Sequence, residues 1–265
     1  MRTRLGDLDS FHLIDWVADP GAPGAGMKLL RDCAKDMAGV FAIGGSQASQ
    51  RVIAAFGFKA VNEVWDLRRP LTLHSIFDDP DRTLRSGARA VRNVYWRFVP
   101  TAKLKHGWTC YPVQISEIPK TFFPSNAPEE AASLRDAGLL AHIASCPRFS
   151  RVQAYTMNDV SGPVGYFLLA QVECEARLID FGPAGMSAAT AQMLGVSAQL
   201  AARSDFPRAV RIATATTESM VREGLLASGF REHRRKTMRV LPLSPEMRAI
   251  SKFRVTMIDW DTACL

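Results

Sequence analysis

The stretch "DPGAPGAGMKLL", Asp19 to Leu30, places three glycines and two prolines just ahead of an amphipathic run. In front of it, "FHLIDWVAD" (Phe11 to Asp19) is apolar and aromatic enough for a strand. Behind it, Met27, Leu30 and Ala34 recur at helical spacing, with Leu29 and Cys33 beside them. A glycine loop between a strand and a helix start lets backbone N–H groups converge on an anion, and the helix dipole adds a favourable field. Spacing narrows the choice. The P-loop pattern would put its lysine at Met27, but Lys28 comes one residue late and Leu29 offers no hydroxyl for magnesium. The dinucleotide fingerprint fits at Gly24 and Gly26 but meets Leu29 where its third glycine belongs, and the next strand lacks a ribose-binding acid at its end. What remains is G-x-x-G-x-G, carried by Gly21, Gly24 and Gly26. The competing reading is a Pro/Gly turn that merely precedes a helix; the flanking elements favour the loop.

Those elements continue in alternation. "GVFAIGGS" (Gly39 to Ser46) reads as a short apolar strand. "SQASQRVIAAFGF" reads as a helix capped by Ser46 and stopped at Gly57. "AVNEVWDLRRPL" (Ala60 to Leu71) is a further strand. The same order returns downstream. "GYFLLAQVECEARLIDFGP" (Gly165 to Pro183) gives two strands joined near Glu173, which reads as a turn charge. A helix over Ser187 to Ser204 follows, then a strand over Arg208 to Thr216. A helix capped by Thr217 and stopped by Gly229 comes next, and a strand over Arg231 to Leu243 closes the series. Words repeat as well: "LIDW" (Leu13 to Trp16) is echoed by "LIDF" (Leu178 to Phe181), and "AFGF" (Ala55 to Phe58) by "ASGF" (Ala227 to Phe230). Repeats in one order on matching elements indicate a tandem α/β unit.

The repeat is lopsided. Only a dozen residues precede "LIDW", against about a hundred before "LIDF", so the first copy reads as the C-terminal half of a unit. "MRTRLGDLDS" supplies at most one strand and a turn at Gly6 to Asp9. The expected division is residues 1–75, a linker and helix over 76–102, and a second unit over 103–265. In that second unit a strand is expected near Trp108 to Val113 and a helix from about Pro128 to Ser145, capped by Asn126 or Ser125. A hairpin turns at Asn158 to Gly162. The fold class is α/β (α+β layered): mixed twisted sheets flanked by helices, in two units of which the first lacks its N-terminal half.

With "LIDWVADPGAPGAG", "FAIGGS", "AAFGFKAVNEVWDLRRPL" and "VGYFLLAQVECEARLIDF" in view, the chain resembles the GNAT acyltransferase superfamily. More narrowly, it resembles tandem GNAT-like proteins of bacterial polysaccharide-biosynthesis settings. The glycine loop is similar to that superfamily's coenzyme A loop, Q/R-x-x-G-x-G/A, except that Gly21 stands at its first position. The likeness covers Phe11 to Leu71 by motif and about Lys103 to Leu243 by element order. It implies acyl transfer, most naturally acetyl, from acetyl-coenzyme A to an amine or hydroxyl of a small molecule or sugar. The pyrophosphate would be held by Gly21, Gly24, Ala25, Gly26 and Met27. The second copy has Gly182 and Gly185, but Met186, Ser187 and Ala188 do not complete the pattern. That imperfection keeps a non-catalytic ligand- or partner-binding protein in contention. A Fem-like aminoacyl transferase, which also pairs two GNAT-like units, is a third reading.

The chemistry needs a base for the acceptor's proton and an acid for the leaving thiolate. In the superfamily these are often a central-strand carboxylate and a tyrosine. Asp15 and Asp180 are matching acids inside apolar strands, and Tyr166 lies on the second hairpin. Alternation of strand side chains leaves each acid an outward-pointing alternative, and Tyr166 an aromatic packing role. The five histidines show no metal spacing, so no metal is expected; His142, between apolar residues, reads as a core histidine. "NVYWRF" and "KHGWT" read as packing rather than stacking platforms, and no G-x-S-x-G elbow occurs.

Composition sets the outer bounds. The 265 residues are 47% hydrophobic and 22% charged, which suits a globular chain and not a fibrous or disordered one. A formal net charge of +7 favours anionic partners without choosing among them. No nucleic-acid motif accompanies it. Five scattered cysteines with no CxxC fit a reducing compartment. With no visible leader and no bilayer-length apolar run, a cytoplasmic protein without a membrane partner is expected; a homodimer is compatible with it.

Overall fold

The computed structural model describes residues 1–3, 6–13, 21, 24–72, 94, 103–123 and 130–259. In chain order the strands are β1 (Arg2–Thr3), β2 (Gly6–Asp7), β3 (Ser10–His12), β4 (Gly39–Ile43), β5 (Lys59–Pro70), β6 (Thr109–Val113) and β7 (Glu130–Ala132). They continue as β8 (Arg151–Asp159), β9 (Gly162–Val172), β10 (Glu175–Gly182), β11 (Arg211–Thr216), β12 (Arg231–Pro242) and β13 (Lys252–Arg254). The described α-helices are α1 (Ala25–Ala34), α2 (Gln47–Ala55), α3 (Ala137–Ala144), α4 (Ala188–Asp205), α5 (Ser219–Ala227) and α6 (Pro245–Ala249). None is long and apolar enough to cross a membrane.

Two compact units result, and they interleave in sequence. The first takes Met1–Val64, Ser125–Leu134 and Arg235–Val255; the second takes Trp65–Pro124, Arg135–Arg234 and Thr256–Leu265. This differs from the sequential division expected above. The reason is strand pairing: Met238 to Pro242 of β12 pair antiparallel with Ile43 to Gly39 of β4. Later segments thus pack and pair with the short first copy.

In the first unit, β3 runs parallel to β4, with Ser10 opposite Gly39 and His12 opposite Phe41. All five residues of β4 are buried, as expected of a strand paired on both sides and covered. Leu30 of α1 and Ile53 of α2 pack with Val40, Ala42 and Phe58. The helix signals hold for α2: Ser46 accepts from the Ser49 amide at 3.1 Å, and Gly57 follows at φ 88°. A small separate sheet orders β13, β7, β1 and β2, with Lys252 to Arg254 parallel to Glu130 to Ala132. Gly6 and Asp7 therefore lie in a strand, not in the expected turn. The helix expected over 128–145 is corrected likewise. Glu130–Ala132 are extended by that pairing, and helix α3 begins only after Asp136, whose carboxylate accepts from the Leu139 amide at 2.7 Å.

In the second unit the strand order is β6, β8, β9, β10, β11 and residues 65–70 of β5. All neighbours are antiparallel except β10 and β11. One face carries the core, including Leu67, Tyr155, Phe167, Leu178, Phe181, Leu194, Ile212 and Phe230. Helices α4 and α5 cover it and meet at backbone distance. A Cβ on Gly224 would lie 2.4 Å from the Ala188 carbonyl oxygen, and one on Gly195 would lie 2.0 Å from Ser228 Oγ. Helix α5 is entered through Glu218, not Thr217; the Glu218 amide donates to Thr216 Oγ1 at 3.0 Å. The linker helix expected within 76–102 lies outside the described residues apart from Val94.

Candidate functional site

The strand register of β10 decides where Asp180 points. Leu178 pairs with Leu169, but Asp180 pairs with the adjacent Leu168, so Ile179 is an extra residue in a bulge. Leu178 therefore faces the helix-covered core while Asp180, two residues on, faces the opposite side. The bulge also ends parallel pairing, which runs only from Glu175–Arg211 to Leu178–Thr214. Beyond it, Thr216 of β11 bridges antiparallel to Thr256.

A buried polar network fills this position. Asp180 Oδ1 accepts from Arg135 Nε at 3.1 Å and from Thr256 Oγ1 at 2.8 Å. Asp180 Oδ2 accepts from the Tyr166 hydroxyl at 2.7 Å. Arg135 Nη2 reaches Asp259 Oδ2 at 2.6 Å, and the Thr256 amide donates to the same oxygen at 2.9 Å. Asp180 and Tyr166 are both 0% exposed. Burial opposes the Arg135 charge, but the carboxylates of Asp180 and Asp259 outweigh it and hold the guanidinium above its ordinary value. Phe123 packs edge-on against the Tyr166 ring. Ligands of open α/β sheets bind in the crevice beyond the carboxyl ends of parallel strands. In the second unit that position is taken by the protein's own Thr256 to Asp259 segment.

The second-copy glycine loop is also occupied. The Gly185 amide donates to Glu218 Oε1 at 2.7 Å, so a carboxylate from the start of α5 sits where an anion would. Ser187 caps α4 by accepting from the Thr190 amide at 3.1 Å.

The first-copy loop differs. Gly24 stands at the N-cap of α1 with φ 83°, a left-handed conformation that favours glycine, and among the described residues no side chain caps the helix. Ala25, Gly26 and Met27 form the first turn, and a Cβ on Gly24 would meet nothing within 4 Å. No acidic residue lies in that turn, and Lys28 follows. Gly21 is exposed. Asp15 lies outside the described residues.

Sequence reasoning singled out Asp180, Tyr166 and both glycine loops. It did not single out Arg135, Thr256, Asp259 and Glu218, which carry no motif and meet Asp180 or the second loop only through tertiary pairing. His142, expected in the core, is exposed on α3. Burial pushes the Cys110 thiol up to about 12, which disfavours its thiolate.

No protein-family model matches the chain, and no curated protein matches it by sequence. Solved structures do match. A tandem GNAT protein from the clavulanic acid biosynthesis pathway, solved without AcCoA, aligns with TM-score 0.51 at 15% identity, over 88% of this chain and 75% of that one. N-myristoyltransferase of Saccharomyces cerevisiae with bound myristoyl-CoA aligns with TM-score 0.51 at 10% identity, over 91% of this chain; this chain spans 64% of that one. A GCN5-related N-acetyltransferase from Kribbella flavida aligns at TM-score 0.47 and 10% identity, over 84% of this chain and 77% of that one. What the likeness shows is the fold: this chain has the α/β fold shared by that tandem GNAT protein and that N-myristoyltransferase.

Proposed function

We propose that the protein is an acyl-coenzyme-A-dependent acyltransferase whose donor site lies in the first unit. The observation that carries the reading is the contrast between the two glycine loops. Among the described residues no side chain caps the first-turn amides of α1, which follow a left-handed glycine, whereas the equivalent loop in the second unit already holds the Glu218 carboxylate. Amides at an uncapped helix start suit a pyrophosphate, and the helix dipole favours its charge. Coenzyme A fits this chemistry as a substrate. Ala25, Gly26 and Met27 would orient its pyrophosphate.

Transfer is then direct. The acceptor nitrogen or oxygen attacks the thioester carbonyl, the C–S bond breaks, and the thiolate leaves carrying the electron pair. Asp15, on the segment that enters the loop, is the proposed base for the acceptor's proton. Asp180 and Tyr166 are assigned instead to holding the second unit together. Their hydrogen-bonding positions are taken by Arg135, Thr256 and each other, and neither is exposed. The proposed acceptor is an amine or hydroxyl of a small molecule, a reading that the fold likeness supports.

The test is thermal. Coenzyme A should raise the melting temperature, by about 2.7 kcal/mol of stabilisation at a hundredfold excess over its Kd. Ala25→Asp should remove the shift. It adds a carboxylate to the first turn, which is favourable for the helix but repels pyrophosphate. No shift with wild-type protein at millimolar coenzyme A would overturn the proposal. It would favour the second reading, a non-catalytic binding protein, which the filled crevice of the second unit supports.

A further inference from the structure

Beside the loop, the first unit has an open groove of about 730 Å³, within the size range of small-molecule sites. Its walls are apolar: Leu30 of α1, Phe56 after α2, and Leu241 and Leu243 at the end of β12. The charged residues lining it are Arg31 of α1 and Lys35, the C-cap residue just past its end, four positions apart and therefore on one face. Among the described residues, no carboxylate lines it. Lys35 pairs with Asp32 at 2.7 Å, but with side chains 69% and 47% exposed that pair is weak and screened. On the α1 side its lining runs from Met27 to Lys35, about 12 Å along the helix, roughly the reach of a chain of nine or ten carbons.

We infer that this groove binds a medium-length fatty carboxylate, its alkyl chain lying along the apolar walls and its head group on Arg31 and Lys35. The reasons are complementarity of both kinds. An apolar trough of this length open to water favours an apolar occupant. A rim bearing cations and no lining acid selects an anionic head over a neutral one. The inference stands apart from the acyl-coenzyme A reading, because it uses the walls of the groove and not the amides of the loop.

The experiment is calorimetric titration of the full chain with octanoate, decanoate and dodecanoate below their micelle concentrations, and with dodecyl maltoside as the neutral control. Affinity should rise about tenfold or more for each two carbons added. Ala55→Trp, at an exposed lining position, should fill the groove and weaken dodecanoate at least tenfold while keeping the coenzyme A melting shift. That retained shift separates failure of the groove from failure of the loop. The double variant Arg31→Glu, Lys35→Glu should weaken dodecanoate at least tenfold and leave the maltoside unchanged. It carries the test if the tryptophan variant does not fold. Absence of binding, affinity independent of chain length, or unchanged dodecanoate affinity in the folded variants would overturn the inference. So would a concentration-dependent dimer that Ala55→Trp dissolves, since the occupant would then be a second copy.

Discussion

The two units pair helices over a sheet in the same order, yet they treat the space between those helices oppositely. In the second, α4 and α5 close on each other through Gly195 and Gly224, which leave no room for even a methyl group. In the first, α1 and the end of α2 line an open groove. The loops differ in the same sense: Glu218 and the Thr256 to Asp259 segment fill the second unit's loop and crevice, while among the described residues no side chain caps the start of α1. A repeated α/β unit can thus be self-satisfied in one copy and leave a groove open in the other, where the donor site is proposed. The deciding groups are small: two glycines, one carboxylate and one arginine.

Removing that arginine should have the largest effect. Arg135→Ala leaves Asp180 and Asp259 buried without their cation, at a cost of about 3–5 kcal/mol, read from urea unfolding. A loss below about 1 kcal/mol would show that the network is not what holds the second unit. Next, Gly224→Val should cost about 1–3 kcal/mol by forcing side-chain atoms against the Ala188 carbonyl. Ala34→Val, in the groove, should change stability by about 0.5 kcal/mol or less. Equal effects would erase the contrast in helix packing. Glu218→Ala should leave the coenzyme A melting shift unchanged, because the proposed donor site lies in the other unit. Disappearance of the shift would move that site to the second unit.

The smallest effect concerns acid. Burial alone would raise the Glu175 carboxyl, but Arg211 and Arg177 outweigh it and hold it below its ordinary value of 4.5. The stability this pair contributes is fully present above pH 4.5 and lost as pH falls through the lower, folded value. Glu175→Gln should therefore flatten stability against pH in that acid window and leave its slope near pH 7 unaltered. A wild-type slope in the variant would assign the acid sensitivity elsewhere.

Much of this was legible in the sequence. Ser46 and Gly57 bound α2 as their chemistry requires, and Gly229, at φ 97°, follows α5 as its stop signal indicated. The alternation of strand and helix gave the α/β class, which the structure bears out. The expected helix over 128–145 failed at its first half because Glu129 and Glu130 look like a helix start only until Lys252 to Arg254 offer strand pairing. Thr217 was a reasonable cap by type, but the chain enters α5 one residue later. Asp180 was found as a residue but not as an environment. Its partner Arg135 is 45 positions away and Thr256 is 76 away, and no local pattern couples them.

By itself, the sequence determined the kinds of element, their order, the repeat and the two glycine loops. Those depend on local periodicity, capping chemistry and the freedom of glycine, which act over a few residues. Tertiary structure alone decided which loop is filled and which is offered. It also decided which strand completes the first unit and which way Asp180 faces. Those outcomes depend on strand register and on side chains brought together across tens of residues, where one bulged residue at Ile179 reverses the face of everything after it.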